Sequence, residues 1–269
     1  MVVWWRVFLL MDLVFIFLCK SSGSYSVVIN YFVIQERLGL IFLVMNFLTA
    51  QFVVVMAKIG MAPFHFWIFR IVRGLEGWLL LWFLTFQKLP LFGVLLALFF
   101  EEAIMILVLG FLVCYFQILL LGDYKFMVSI SSTESFNWIL LTYAFSLLNS
   151  LALFVYYFLA SIFLVPYFTK KVRGEMEWAT LLVFINVPLG AAFFVKIYAL
   201  GGFMVSLARW VILVLSLMVM RSLSLGLWLT VKRVKIGAPS YFNRRGFFTL
   251  LVLFVAALLY SSSKFITLP

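Results

Sequence analysis

The chain has 269 residues, of which 67% are hydrophobic and 11% charged, and its formal net charge is +11. Its mean hydropathy is +1.23, whereas a soluble domain is nearer half apolar and a quarter charged. The composition therefore excludes a soluble enzyme, and the positive charge does not imply nucleic acid, because the basic residues lie in short connections beside apolar runs.

Crossing a bilayer takes about 20 residues, and the apolar runs predict about ten such helices, at residues 3–19, 25–46, 48–69, 78–99, 103–121, 127–148, 150–166, 179–200, 203–221 and 246–262. The expected fold is all-α, a polytopic membrane helix bundle forming one domain over residues 1–269, with two interrupted helices. The first run reads as a membrane helix rather than a cleavable signal, since it lacks a small-residue cleavage site and carries Asp12. The boundary between the sixth and seventh helices rests on Asn149-Ser150. Cys19 and Cys114 fall in apolar runs and read as packing residues rather than a disulfide or metal pair.

Charge segregates by connection. Odd-numbered loops hold Lys20, then Arg70 and Arg73, then Lys125, then Lys170, Lys171 and Arg173, and finally the basic stretch from Arg221 to Arg245. Even-numbered loops hold neither Lys nor Arg, and one carries Glu101-Glu102. The positive-inside rule puts the odd loops on the cytoplasm-equivalent face and both termini on the opposite one. Phe, Leu, Val and Trp are abundant while Pro (6) and His (1) are scarce. That bias matches T- and G-rich codons and an organelle genome, so the matrix is the expected basic side.

The third helix carries the densest signal. In Lys58-Ile59-Gly60-Met61-Ala62-Pro63-Phe64-His65-Phe66-Trp67, a lysine at membrane depth is followed by two helix breakers. A charged side chain at the bilayer centre costs at least about 2.5–3.5 kcal/mol. Proline removes a donor and frees the carbonyl one turn back, which is tolerated only where protein or a wet cavity surrounds it. A hydrated interior site is the expectation. Lys88, in Thr85-Phe86-Gln87-Lys88-Leu89-Pro90, stands at similar depth in the antiparallel fourth helix. Lys196 follows the second interruption, at Pro188 and Gly190, an arrangement like the broken-helix pairs of transporters. Asp12 and Glu36 are the candidate acids, and Arg37 and Arg209 complete the intramembrane charges. Glu36 fits a local pair with Arg37 as well as it fits a place on a proton route. His65 fits either a proton shuttle or a hydrogen-bonded structural side chain. With one histidine and two distant cysteines, no metal or haem site is expected. No nucleotide-binding loop or catalytic triad is visible.

The run Lys58 to Trp67 resembles the signature of NADH dehydrogenase subunit 2, an antiporter-like membrane subunit of respiratory complex I. Thr85 to Pro90 resembles that family's T-W-Q-K segment. Tyr31-Phe32 with Gln35 is similar to its Y-F-L-x-Q. Ser131-Ser132 with Trp138 resembles Y-S-S-x-x-H-x-G-W, with Ser135 and Asn137 in place of His and Gly. Asn186 to Lys196 is similar to G-L-P-P-L-T-G-F-L-P-K. The resemblance runs in order from about residue 5 to about residue 200.

It implies that Lys58, Lys88 and Lys196 form a proton relay, with Lys125 near a further family basic residue. It also implies that NADH, FMN, iron–sulfur clusters and ubiquinone are held by other subunits, with no cofactor in this chain. The implied partners are other membrane-arm subunits, both antiporter-like and small, and lipids including cardiolipin, in the mitochondrial inner membrane with both termini in the intermembrane space. One element departs from the family. Its early glutamate aligns with Leu10, and Asp12 lies about 200° further around a helix, so Glu36 is the alternative compensating acid. Two rivals stand beside this reading. A stand-alone cation/proton antiporter would need a cluster of acids, and a structural spacer would pack Lys58 in a dry environment.

Overall fold

The computed structural model describes residues 2–20, 25–120, 124–170 and 195–196. Among these residues the protein is wholly helical. The helices are α1 (Val2–Cys19), α2 (Tyr25–Val44), α3 (Leu48–Ile59), α4 (Phe66–Gly74), α5 (Gly77–Leu84), α6 (Lys88–Ala97), α7 (Ala103–Leu120), α8 (Tyr124–Tyr143) and α9 (Leu147–Lys170). Three stretches are long and apolar enough to cross a membrane: Val2–Cys19, Tyr25–Val44 and Gly77–Ala97. The count of ten expected from the sequence extends beyond the described residues, as do the interruption at Pro188 and Gly190 and the side chain of Arg209.

Many of these helical residues are Phe, Val, Ile and Trp, which favour strands in water. In hydrocarbon each backbone group must find its partner inside the segment, which overrides that preference. Helices α1 and α2 are largely apolar all round, so their buried face is marked by what it encloses rather than by amphipathicity. On α1 the buried residues are Phe8, Asp12, Phe15 and Cys19, one stripe at spacings of four, three and four. On α2 they are Val27, Tyr31, Gln35, Gly39 and Phe42. Leu10, Leu13 and Phe17 on α1 and Ile29, Phe32 and Leu40 on α2 are outward, as a lipid-facing surface requires.

The chain divides into two compact units, Met1–Cys114 with Tyr124–Leu140, and Tyr115–Asp123 with Leu141–Pro269. In the first unit α1 packs on α2, α5 and α6, while α2 packs on α3 and α4, and α3 on α6. Phe15 meets Tyr31 at 4.5 Å and Phe83 at 5.6 Å between ring centres, and Trp67 meets Phe83 at 5.9 Å. The second unit contains α9 and Lys196. The sixth and seventh predicted helices part at Ala144–Ser146, earlier than expected, and Asn149-Ser150 lies inside α9. Ser150 is tolerated there because its hydroxyl donates to the Leu147 carbonyl at 2.8 Å.

The helix predicted over 48–69 is two helices. α3 stops at Gly60, which adopts φ 72°, a left-handed conformation open mainly to glycine. The Gly60 N–H bonds the Ala57 carbonyl at 3.1 Å and the Met61 N–H bonds the Met56 carbonyl at 2.9 Å, a Schellman closure. Side chains also meet three carbonyls around the break. Trp67 Nε1 donates to Ala57 at 2.9 Å, Gln35 Nε2 to Lys58 at 3.0 Å, and Asn137 Nδ2 to Ala62 at 3.4 Å. The carbonyls of Met56, Ala57, Lys58 and Ala62 at this break are thus answered by side chains or the following backbone.

Asn137 stands where the resembled pattern has glycine, and Gly110 on α7 makes room for it. A Cβ at Gly110 would lie 2.5 Å from both the Ala62 carbonyl oxygen and Asn137 Nδ2. Gly110→Ala is therefore expected to lower stability by about 1–3 kcal/mol, since backbone blocks the new methyl. Unfolding of the purified chain in detergent measures this, and a change below a few tenths of a kcal/mol contradicts the packing argument.

The stretch Gly77–Ala97 is also broken, at Thr85–Gln87. Thr85 Oγ1 bonds the Leu81 carbonyl at 2.6 Å, and the Gln87 N–H reaches back to Trp82 at 3.2 Å, a wide π-type turn. Pro90 cannot donate to Phe86, and the Leu89 N–H takes that carbonyl instead at 3.2 Å. The consequence is that Gln87 and Lys88 sit at a bend, with side chains directed into the bundle.

Candidate functional site

Lys58 is 3% exposed and its ammonium is fully engaged. Nζ lies 2.8 Å from Asp12 Oδ2 and 3.1 Å from the Gln35 carbonyl oxygen, and 5.3 Å from the centre of the Phe8 ring. Gln35 returns a bond to the Lys58 carbonyl, so α2 and α3 are joined in both directions at this level. The pair is buried on both sides. Within the described chain Lys58 does not reach outward to an interface.

The carboxylate on Lys58 is that of Asp12. Leu10, aligned with the family glutamate, is 61% exposed, whereas Asp12 is 2% exposed. The helical arithmetic about these positions holds, but α1 is turned so that the Asp12 face, not the Leu10 face, meets α3. Of the two candidate acids, Asp12 is the one placed on Lys58. Glu36 is only half-buried and Arg37 is exposed, whereas Lys58–Asp12 and Lys125–Glu76 are ion pairs within the first unit.

Asp12 accepts a second hydrogen bond, from the Tyr31 hydroxyl, on Oδ1. Tyr31 is wholly buried, and its oxygen accepts from Gln87 Nε2. Lys58, Asp12, Tyr31 and Gln87 are therefore linked in series across α1, α2, α3 and the bend before α6.

Lys88 is 2% exposed. Its Nζ donates to Ser132 Oγ at 2.7 Å and lies 4.5 Å from the centre of the Phe136 ring. These two residues are one turn apart on α8, so a hydroxyl and an aromatic face together receive the ammonium. The Ser-Ser segment picked out in the sequence is thus the seat of Lys88. Lys196 is 6% exposed and belongs to the second unit.

Glu134 was missed by the sequence reading. It is 1% exposed and accepts from Trp138 Nε1 at 3.2 Å. The signal that could have found it was an acid inside the apolar run 127–148, hidden by its Ser and Thr neighbours. His65 is buried against Phe66 and Phe69, each 5.3 Å away between ring centres, and its carbonyl accepts the Ile68 N–H at 3.0 Å as α4 begins.

Lys125 sits elsewhere in the first unit. Its Nζ donates to the Arg73 carbonyl at 3.1 Å and lies 3.5 Å from Glu76, which is 84% exposed. That is a cation on the C-terminal carbonyls of α4, a favourable position against the helix dipole. Cys19 and Cys114 are buried and are not joined in a disulfide, and Cys114 contacts Thr133 Oγ1 at 3.7 Å. Among the described residues no group of three or more His, Cys, Asp and Glu side chains could hold a metal ion.

No family model matches the chain. Over 199 residues it is 54% identical to the NADH-ubiquinone oxidoreductase chain 2 of Ascaris suum, a match covering 74% of this chain and 66% of that one. Over 201 residues it is 49% identical to the Caenorhabditis elegans protein of the same name, covering 74% of this chain and 71% of the relative. The match thus spans just under two thirds of the Ascaris protein's length.

Proposed function

We propose, from the premise that this chain belongs to the NADH-ubiquinone oxidoreductase chain 2 family, that it is a membrane subunit of respiratory complex I that translocates protons. In this reading it lies in the mitochondrial inner membrane among other membrane-arm subunits and lipid, with both termini on the intermembrane-space side. The redox cofactors and ubiquinone are held by its partners.

The observation that carries the reading is the buried pair of Asp12 and Lys58, 2.8 Å apart beside the Gly60 break. Intramembrane charges of this kind mark ion routes. A charge brought near a buried ion pair acts on it with little screening. A conformational or electrostatic change in a neighbouring subunit separates or discharges the pair, and the proton passes through water towards Lys88. Lys88 holds its ammonium on Ser132, and Lys196 is the third member. Asp12 takes the part of the family's acid. The measurement that decides is the number of protons moved per NADH oxidised in the assembled complex. Lys58→Met is expected to lower it while the complex assembles and oxidises NADH. An unchanged ratio makes the Asp12–Lys58 pair a structural element and the subunit a spacer.

A further inference from the structure

We propose that Tyr31 and Gln87 are positioning residues that report the protonation state of the Asp12–Lys58 pair to the bend that carries Lys88. The proposal rests on the proton-translocation reading above.

The hydrogen bonds of this series converge on Asp12 from both sides. Gln87 Nε2 donates to Tyr31, Tyr31 donates to Asp12, and Lys58 donates to Asp12. A phenol has one proton to give, so a Tyr31 committed to Asp12 can only accept from Gln87. That arrangement suits a carboxylate, which offers no proton of its own. Transfer of a proton from the Lys58 ammonium leaves a neutral amine and a carboxylic acid, with no other bond changed. The new O–H is on Oδ2, the oxygen that faces Lys58, and rotation of the carboxyl group carries it to the Tyr31 side while the other oxygen accepts from the amine. If the acid donates to Tyr31, the phenol proton turns towards Gln87, and the amide must present its oxygen rather than its nitrogen.

Gln87 is equipped for this. Its Oε1 is buried and makes no hydrogen bond among the described residues, so rotation of the amide exchanges a partnered atom for an unpartnered one. The side chain is anchored where the helix is already open, between α5 and α6, and the next residue is Lys88. Reversing the series therefore turns the amide of the residue directly before the second lysine. Tyr31 stays neutral throughout, and its ring remains held by Phe15 and Phe83 at 4.5 and 6.2 Å.

The hydrogen-bonded link between Asp12 and Gln87 runs through Tyr31, so coupling carried by that link is lost with the phenol hydroxyl. The test is a triple-mutant cycle in the full chain, using Asp12→Asn, Gln87→Met and Tyr31→Phe. The readout is the unfolding equilibrium in lipid-containing detergent. Coupled groups in one network depart from additivity by about threefold or more in the equilibrium constant. The expected result is such coupling between Asp12→Asn and Gln87→Met when Tyr31 is present, and additivity when it is phenylalanine. Phenylalanine keeps the ring packing, so a merely structural tyrosine would leave the coupling in place. Coupling that is absent, or that survives Tyr31→Phe, overturns the proposal.

In the assembled complex, Tyr31→Phe and Gln87→Met should each lower the proton-per-NADH ratio, and the double variant should match the lower single. Additive losses overturn the link even if Lys58→Met lowers the ratio as expected. A normal ratio in Lys58→Met ends the proton-translocation reading separately, and the cycle alone then decides the link. Where Asp12→Asn does not fold, Asp12→Glu takes its place in the cycle, with the same two outcomes.

Discussion

Replacing Asp12 with leucine is expected to destabilise the chain by about 3–5 kcal/mol, because it leaves an ammonium buried without its counter-charge. Lys58 is 3% exposed and its remaining oxygen contact is one backbone carbonyl, at 3.1 Å. Tyr31 loses its acceptor in the same step. Lys58→Met alone should cost less, since the stranded carboxylate keeps the Tyr31 donor. The double variant, Asp12→Leu with Lys58→Met, should recover most of the loss, because replacing both charges by apolar groups removes the uncompensated ion. Reversible unfolding of the four proteins in one detergent–lipid mixture gives the cycle. A double variant as unstable as the sum of the singles would mean that the two charges do not hold each other.

The second large effect is expected at Gly60. Gly60→Ala should cost about 2–5 kcal/mol, the sum of two independent causes. A left-handed backbone conformation costs an L-residue about 1–2 kcal/mol. At φ 72° Gly60 is in that region. The added Cβ would also overlap the Ile68 side chain on α4, and overpacking of this kind costs about 1–3 kcal/mol. Relief of the overlap by Ile68→Ala should restore only part of the loss, since the backbone cost remains. Full restoration would show that the helix end tolerates a non-glycine residue. The same closure sets the Lys58 carbonyl towards Gln35, so a Gly60 variant that folds should also disturb the lysine.

The recognisable motifs translate into the site through chemistry that the one-dimensional pattern could only outline. Tyr31 and Gln35, four residues apart, lie on one face of α2, and one meets Asp12 while the other meets Lys58. Gln87 and Lys88 are neighbours in sequence yet address different partners, Tyr31 and Ser132. A helix would turn such neighbours about 100° apart, and the bend at Thr85–Gln87 is what directs both inward. Asn137 departs from the resembled glycine and answers the Ala62 carbonyl, so that departure is a compensation read only in three dimensions.

From the order of residues alone come a membrane protein, helical because hydrocarbon offers the backbone no other partner, and a break beside Lys58, because Gly60 and Pro63 cannot continue a helix. Buried amines at positions 58 and 88 follow from the same reading, since both lie within apolar runs. Which acid faces Lys58 was a matter of tertiary structure. An all-apolar helix has no amphipathic stripe to announce its rotation, so Asp12 and Glu36 both stood as candidate acids until packing brought Asp12 onto Lys58 and left Glu36 half-buried. Glu134 on α8, the seat of Lys88 on Ser132 and the Tyr31–Gln87 connection were decided in the same way. Each depends on contacts between helices far apart in the chain, and spacing within one helix carries no information about them.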